Sequence, residues 1–329
     1  LKINWRVVVG VLISLIALWL IAKDVKPDEF ATALARANYW WALPSAASIL
    51  FSIWVRGYRW RALLDNRITP SRAFNITNIG NMLNNVLPIR LGDVARAYLA
   101  SRNGDVAVMQ CFSTVIVERL LDVLTVFGFL MIVLPFVSAD EVFTRAGTIT
   151  AAVAFFAVVA MFMVAAWREQ VVGLAQKLLA WLPAALREAL IHQGDQFLLG
   201  IQSIKPQRLI IGILLSFVVW IGWAMGCWMM LEAFVPGSPW YAGVFVTCAI
   251  ALGLTIPSAP SGAGLFEAAA IAALALFEIP ADVALAYAVL LHVSVFIITA
   301  IFGVYGLNVE GQSVSGITDA TRHMRAARK

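Results

Sequence analysis

Residues 209 to 231, LIIGILLSFVVWIGWAMGCWMML, run for 23 positions without a charged side chain. A helix of that length crosses the roughly 30 Å of a bilayer's hydrocarbon. Apolar runs of the same kind recur at residues 7 to 22, 40 to 56, 111 to 136, 147 to 166 and 284 to 306. In lipid every backbone polar group must be satisfied within the protein, so such a chain folds as a bundle of membrane helices. Composition agrees, with 61% hydrophobic and 13% charged residues, against roughly 45–50% and about 25% in soluble domains. The two hydrophilic stretches of about 40 residues or fewer are too short for a separate soluble enzyme domain. Residues 7 to 22 follow Lys2 and Arg6 as a signal peptide would, but no small-residue cleavage site precedes Lys23 and more spans follow. They read as a retained first span.

Two apolar regions are broken. Residues 73 to 99 hold an arm of about 15 residues, the break VLPIRLGD and an arm of about 10; residues 241 to 278 hold about 16, the break IPSAPSGAG and about 15. No arm is long enough to cross, and proline and glycine interrupt helices, so both regions read as re-entrant hairpins. Six spans and two hairpins put Arg59, Arg61, Arg67, Arg72, Arg102, Arg168, Lys177, Arg187, Lys205 and Arg208 on one side, with the basic residues of both termini. The positive-inside rule makes that side cytoplasmic, in a multi-pass protein of the cell membrane.

Pro88 and Gly92 stand as Pro-x-x-x-Gly, as do Pro260 and Gly264, at an offset of 172 residues that also relates the spans at 40 to 56 and 111 to 136 to later ones. The expected fold is an all-α polytopic membrane protein of about six spanning helices with two opposed re-entrant hairpins in an inverted repeat. The first repeat covers about residues 7–136 with its hairpin at 73–99, and the second about 147–306 with its hairpin at 241–278. Between them lies a cytoplasmic connector at 168–207, and a basic tail occupies 307–329. Within the connector, the spacing of Val172, Ala175, Leu179 and Leu182 predicts an amphipathic interfacial helix.

Several other functions are excluded or disfavoured. The net charge of +5 comes from basic residues beside apolar segments, where topology accounts for them without nucleic acid. Cys111, Cys227 and Cys248 lie singly in apolar segments and His192, His292 and His323 are scattered, so neither a metal site nor a disulfide is expected. No P-loop occurs, and no cofactor is expected.

The ionisable residues inside apolar segments are the candidate site, because burying charge in a membrane is costly unless it is paired or hydrated. Arg90, Asp93 and Arg96 recur at three-residue intervals after the first break, two guanidiniums flanking a carboxylate in a form able to hold phosphate or to make a simple salt-bridge cluster. In VERLLD, Glu118 and Asp122 share a helix face, and Arg119 has Asp122 at i+3 as its expected intrahelical partner. Asn75, Asn78, Asn81 and Asn85 form an amide stripe that faces protein or water. Arg56 and Arg59, among Trp54, Tyr58 and Trp60 at the end of a span, are placed as boundary anchors that draw in anionic headgroups. Glu267 is the only charged residue between Glu232 and Glu278. Facing Arg90, Arg96 or Arg119, it would act as counter-ion, proton-coupled carboxylate or ligand for a cationic headgroup. Pro88, Gly92, Pro257, Pro260, Gly262 and Gly264 are the expected hairpin tips.

Together RGYRWRALL, NNVLPIRLGDVARAYL, VERLLD and IPSAPSGAGLFE resemble the flippase-like family that includes the transmembrane domain of lysylphosphatidylglycerol synthase, over roughly residues 5 to 307. The resemblance implies movement of lipids between leaflets; relatives are associated with glycolipid, hopanoid or polyprenyl-linked pathways. Arg90, Gly92, Asp93, Arg96, Glu118, Arg119, Asp122, Pro257, Pro260, Gly264 and Glu267 are the family-like positions. The sequence ends at Lys329 on a short basic tail, with no aminoacyl-transfer domain in it, so lysyl transfer is not expected. The leading expectation is a lipid translocase rather than an enzyme, with a membrane lipid as substrate. A separately encoded lipid-modifying enzyme and a second copy of the chain are possible partners. The rival expectations are an integral-membrane transferase on lipid-linked substrates and a non-catalytic partner of a glycosyltransferase or lipid synthase.

Overall fold

The computed structural model describes residues 25–87, 91–102, 106–137, 159–255 and 259–314, together with residues 14, 16, 19, 23, 155, 156 and 316. Most of the first span, residues 147 to 154 of another, the tail beyond 316, Pro88, Arg90 and Pro257 lie outside the described residues. Within the described residues all regular structure is helical.

Prolines set many of the helix starts, where a missing N–H costs nothing. Pro27 opens α1 (Pro27–Arg36), Pro70 opens α3 (Pro70–Val86), and Pro206 opens α8 (Pro206–Glu232). Pro183, Pro239 and Pro280 stand just before α7 (Ala184–Gln202), α9 (Trp240–Gly253) and α11 (Ala281–Val309). The rest are α2 (Ala42–Leu63), α4 (Leu91–Ser101), α5 (Val108–Val133), α6 (Arg168–Leu178) and α10 (Leu265–Ala275). By length and composition α8 and α11 are long and apolar enough to cross a membrane. α2 and α5, of 22 and 26 residues, have the length but carry the charged residues of the candidate site.

α2 and α8 lie against each other and run antiparallel. Ser45, Ser48 and Ser52 donate to the carbonyls of Gly226, Gly222 and Val219 at 2.8, 2.8 and 2.7 Å. Small residues let the two backbones approach, and the hydroxyls bridge them. Each broken region is a pair of short helices: α3 with α4, and α9 with α10. α3 also packs on α11 and α4 on α5, while α9 packs on α5 and α10 on α11. The core among α5, α8, α9, α10 and α11 is apolar, with Val133, Met230, Val246, Ala270 and Tyr287 fully buried. A second core joins α2, α3 and α4 around Trp60, Ile76, Ile79 and Ala97.

The connector departs from the single helix expected of it. α6 ends at Leu178, and Leu179 to Leu182 turn back into α7 because Pro183 precedes a new helix. Arg168 of α6 and Asp195 of α7 close the pair at 2.6 Å, and α7 packs along α5.

Candidate functional site: a buried arginine–carboxylate cluster

α5 places Glu118 and Asp122 one turn apart, so both carboxylates face α2. α2 places Arg56 and Arg59 three residues apart, so both guanidiniums face α5. Arg59 reaches both acids, with Nη1 donating to Asp122 Oδ1 at 2.7 Å and Nη2 3.1 Å from Glu118 Oε1. Arg56 Nη2 donates to the other Asp122 oxygen at 2.6 Å. Arg59 and Glu118 have no exposed side-chain surface, while Arg56 retains 13%. Arg56 and Arg59 are therefore cluster residues rather than headgroup anchors.

α4 supplies the third arginine. Arg96 donates to Glu118 through Nη1 and Nη2 at 3.3 and 2.8 Å, a bidentate pair. Its guanidinium lies 4.3 Å from the centre of the Trp60 ring, so an aromatic face supports the cation where water is absent. Glycine makes room for this arrangement. A Cβ on Gly80 would run into the Arg96 side chain at 2.5 Å, and one on Gly92 would meet the Gly80 carbonyl.

Arg119 keeps its i+3 neighbour as an ion partner and adds a closer one. Asp122 lies 3.7 Å away, whereas Asp93 at the start of α4 accepts from Arg119 Nη2 at 2.6 Å. Arg119 is 32% exposed and Asp93 18%, the most open pair of the cluster. Asn84, which sequence spacing does not single out, accepts from the Gly92 N–H at 2.8 Å and stands 3.4 Å from Asp93. Two further partners come from α8: Trp220 Nε1 donates to Asp122 at 3.0 Å, and Arg59 donates to Ser216 at 2.7 Å. A polar serine in the uncharged run 209 to 231 was the only sequence signal for them.

Residues 7–303 match the lysylphosphatidylglycerol synthase TM region family, a span that contains every residue of this cluster. The chain belongs to that family. It is an all-helical membrane protein, and the cluster is the main concentration of charge among its described helices. A curated relative, "Glycosyltransferase AglD" of Haloferax volcanii, is 32% identical over 133 residues, 39% of this chain and 21% of the relative. The chain therefore spans about a fifth of that relative's length.

A second polar centre of this family member forms around Glu267. Glu267 Oε1 is 2.7 Å from His292 Nδ1 of α11, and Oε2 accepts from the Gly264 N–H at 2.7 Å. His292 Nε2 is 3.0 Å from Ser261 Oγ, and the imidazole stacks on Phe266 with centroids 4.4 Å apart. Among the described residues Glu267 pairs with a histidine and not with Arg96 or Arg119, because α10 turns this side chain back onto its own N-terminus and α11; Arg90, the other expected partner, lies outside the described residues. Pro260, Gly262 and Gly264 do lie at the turn into α10, with positive φ at Gly262 and Gly264.

The asparagines divide. Asn75 and Asn78 are buried, and Asn78 donates to the Phe74 carbonyl at 2.9 Å. Asn85 donates to Thr299 of α11 at 2.8 Å, and Asn81 is half-buried. Among the described residues, no group of three or more His, Cys, Asp or Glu side chains is placed to hold a metal ion.

Proposed function

We propose that this chain is a lipid translocase that moves an anionic, phosphate-bearing or modified lipid between the leaflets of the cell membrane. The observation that carries this reading is the charge of the cluster. Among the described residues four guanidiniums (Arg56, Arg59, Arg96, Arg119) meet three carboxylates (Asp93, Glu118, Asp122), an excess of one positive charge. A phosphate diester carries one negative charge, and the planar fork of arginine binds phosphate oxygens in pairs. Arg119 is the accessible fork. Phosphate would displace Asp93 from it, while Glu118 and Asp122 keep the deeper arginines in place and the lipid tails stay in the bilayer.

The finer architecture belongs to the same reading: about six spans, two opposed re-entrant hairpins, an inverted repeat and both termini cytoplasmic. It is supported by the antiparallel contact of α2 with α8, which the 172-residue offset makes equivalent. The exchanged neighbours of the two hairpins, α3 on α11 and α9 on α5, also support it. An in-plane two-fold axis relates elements in this way, and transporters of this kind bind substrate near the midplane.

The test is leaflet exchange of a fluorescent phospholipid panel in proteoliposomes, with Arg119→Ala and Arg96→Ala as comparisons. The intact protein should exchange an anionic lipid faster than empty liposomes, and Arg119→Ala should lose that exchange while keeping its thermal stability. Equal rates with and without protein for every lipid would end the translocase reading.

The relative named a glycosyltransferase supports a second reading, in which this membrane unit serves sugar transfer on lipid-linked substrates, as transferase or as partner of a separate enzyme. Sugar transfer by the purified protein, or co-purification with a glycosyltransferase, would favour it.

A further inference from the structure

We propose that the turn into α10 carries a proton-binding site that couples this protein to a proton gradient, with His292 Nε2 taking the proton and Ser261 reading it out. The coupling to lipid movement rests on the translocase reading, whereas the site itself rests on geometry.

Glu267, His292 and Ser261 form one hydrogen-bonded chain, at 2.7 Å from carboxylate to Nδ1 and 3.0 Å from Nε2 to hydroxyl. With the carboxylate ionised and the imidazole neutral, Nδ1–H donates to Glu267, and Nε2 must accept from the Ser261 hydroxyl. A proton arriving from water at Nε2 makes the imidazolium. Nε2 then becomes a donor, so the serine hydroxyl must turn its hydrogen away and accept instead. No other bond changes, and the charge of the pair goes from minus one to zero. Moving a net charge through a low-dielectric interior is costly, so the neutral, protonated pair is the form in which this turn can shift.

Ser261 is suited to pass that change to the backbone. It holds φ 58 and ψ 0, a left-handed conformation few non-glycine residues adopt, next to Gly262 at φ 78 and close to Gly264 at φ 85. The neighbouring Ala259 N–H donates to Ser14 at 2.9 Å, so Ser14 touches the same turn.

The ligand is a proton rather than a metal cation because, among the described residues, one carboxylate and one imidazole are the only groups of this centre able to ligate a metal, too few to hold one. Oε1 is engaged by the imidazole and Oε2 by the Gly264 N–H, whereas hard cations gather about six or more oxygens. Many of the other described charges on the elements packed around His292 are engaged elsewhere, Arg61 of α2 with the Ile68 carbonyl and Arg208 of α8 with Asp65 among them. On α2, Arg56 and Arg59 hold Glu118 and Asp122; on α8, Glu232 accepts from the Gly237 N–H. Just before α1, Lys26 pairs with Glu29 and lies near Asp282, ten residues or about 15 Å along α11 from His292; α1 itself also carries Asp28 and Arg36. α3 offers Arg72, held by Glu310 past the far end of α11, and uncharged amides, of which Asn85 is bound to Thr299.

One proton with one singly charged anionic lipid is an electroneutral pair. A gradient of one pH unit would then support about a tenfold transmembrane ratio of the lipid. The experiment uses the full chain in proteoliposomes with fluorescent phosphatidylglycerol, a pH-sensitive dye in the lumen, and the membrane potential clamped to zero. The intact protein should build the tenfold asymmetry and move the lumen pH, while His292→Gln should equilibrate the lipid to a ratio of one. In parallel, ¹⁵N-histidine NMR in detergent follows His292, assigned by its loss in His292→Gln. It should gain a second N–H on acidification, at a midpoint that Ser261→Ala displaces. A His292 ring that keeps a single N–H from about pH 4 to 9 would overturn the site, whatever the lipid result. A titrating His292 beside lipid exchange that ignores the gradient would overturn the coupling and leave the translocase standing. Absence of any exchange in the intact protein would remove the translocase reading, and the NMR titration would still decide the proton site.

Discussion

Arg59 and Asp122 are separated by 63 residues of sequence and meet at 2.7 Å, with the guanidinium fully buried. Removing one partner from such a pair leaves an uncompensated buried charge, which costs about 3–5 kcal/mol. Arg59→Met should therefore unfold at a markedly lower temperature in detergent, and adding Asp122→Asn should recover part of the loss. A single variant as stable as Glu188→Ala, which alters an exposed position on α7, would show that the cluster is not a stabilising element.

Gly92→Ala is expected to be among the most damaging small substitutions. The new methyl would meet the Gly80 carbonyl and stand 2.7 Å from the Asn84 side-chain oxygen, so α4 would have to lift off α3 and Arg96 would lose its seat. Gly194→Ala on α7 has nothing within 4 Å and should gain about 0.5–1 kcal/mol from helix propensity. Thermal denaturation of the two variants side by side gives the contrast, and equal midpoints would contradict the close approach of α3 and α4.

The serine ladder between α2 and α8 makes a quantitative prediction. Ser45→Ala, Ser48→Ala and Ser52→Ala each remove one interhelical hydrogen bond, worth on average about 0.6 kcal/mol in membrane proteins. Their effects should be small singly and roughly additive, whereas leucine at Ser52, which is buried, should be far worse because it forces the helices apart. Steric trapping or reversible unfolding in detergent would measure both.

Outside the spans, Asp65 is held below the usual carboxylate range by hydrogen bonds from Lys205 and Arg208. A carboxyl whose folded pKa is depressed contributes stability above its unfolded pKa of about 4 and loses it as pH falls further. Asp65→Asn should flatten that acid limb, with little effect at neutral pH in high salt, because exposed pairs are weak and screened. An unchanged acid limb in Asp65→Asn would assign the pH dependence to other groups.

The elements most legible in sequence were those governed by local chemistry. Proline has no N–H to give a helix, so the broken pairs α3–α4 and α9–α10 fall within a few residues of the expected 73–99 and 241–278. The connector was less legible, since the apolar spacing of Val172, Ala175, Leu179 and Leu182 fits one helix as well as the turn that Pro183 imposes. Within the site, Asp93, Arg96, Glu118, Arg119 and Asp122 stood out because ionisable side chains are rare in apolar runs. Trp220 and Ser216 did not, since neither is unusual in a membrane helix.

The sequence alone determined that this chain is a helical membrane protein with charge concentrated on two segments, because transfer free energy and backbone chemistry act residue by residue. Only the tertiary structure decided which charges meet. The i+3 rule gives Arg119 its pair with Asp122 at 3.7 Å, but the closer partner, Asp93 at 2.6 Å, comes from another helix. Glu267 finds His292 across 25 residues, a partner that sequence spacing does not suggest. Arg56 and Arg59 look like boundary anchors in one dimension; facing Glu118 and Asp122 on α5, they become the buried half of an ion cluster. Partner choice among equivalent charges depends on the rotation and depth of packed helices, which are set by contacts between residues far apart in the chain.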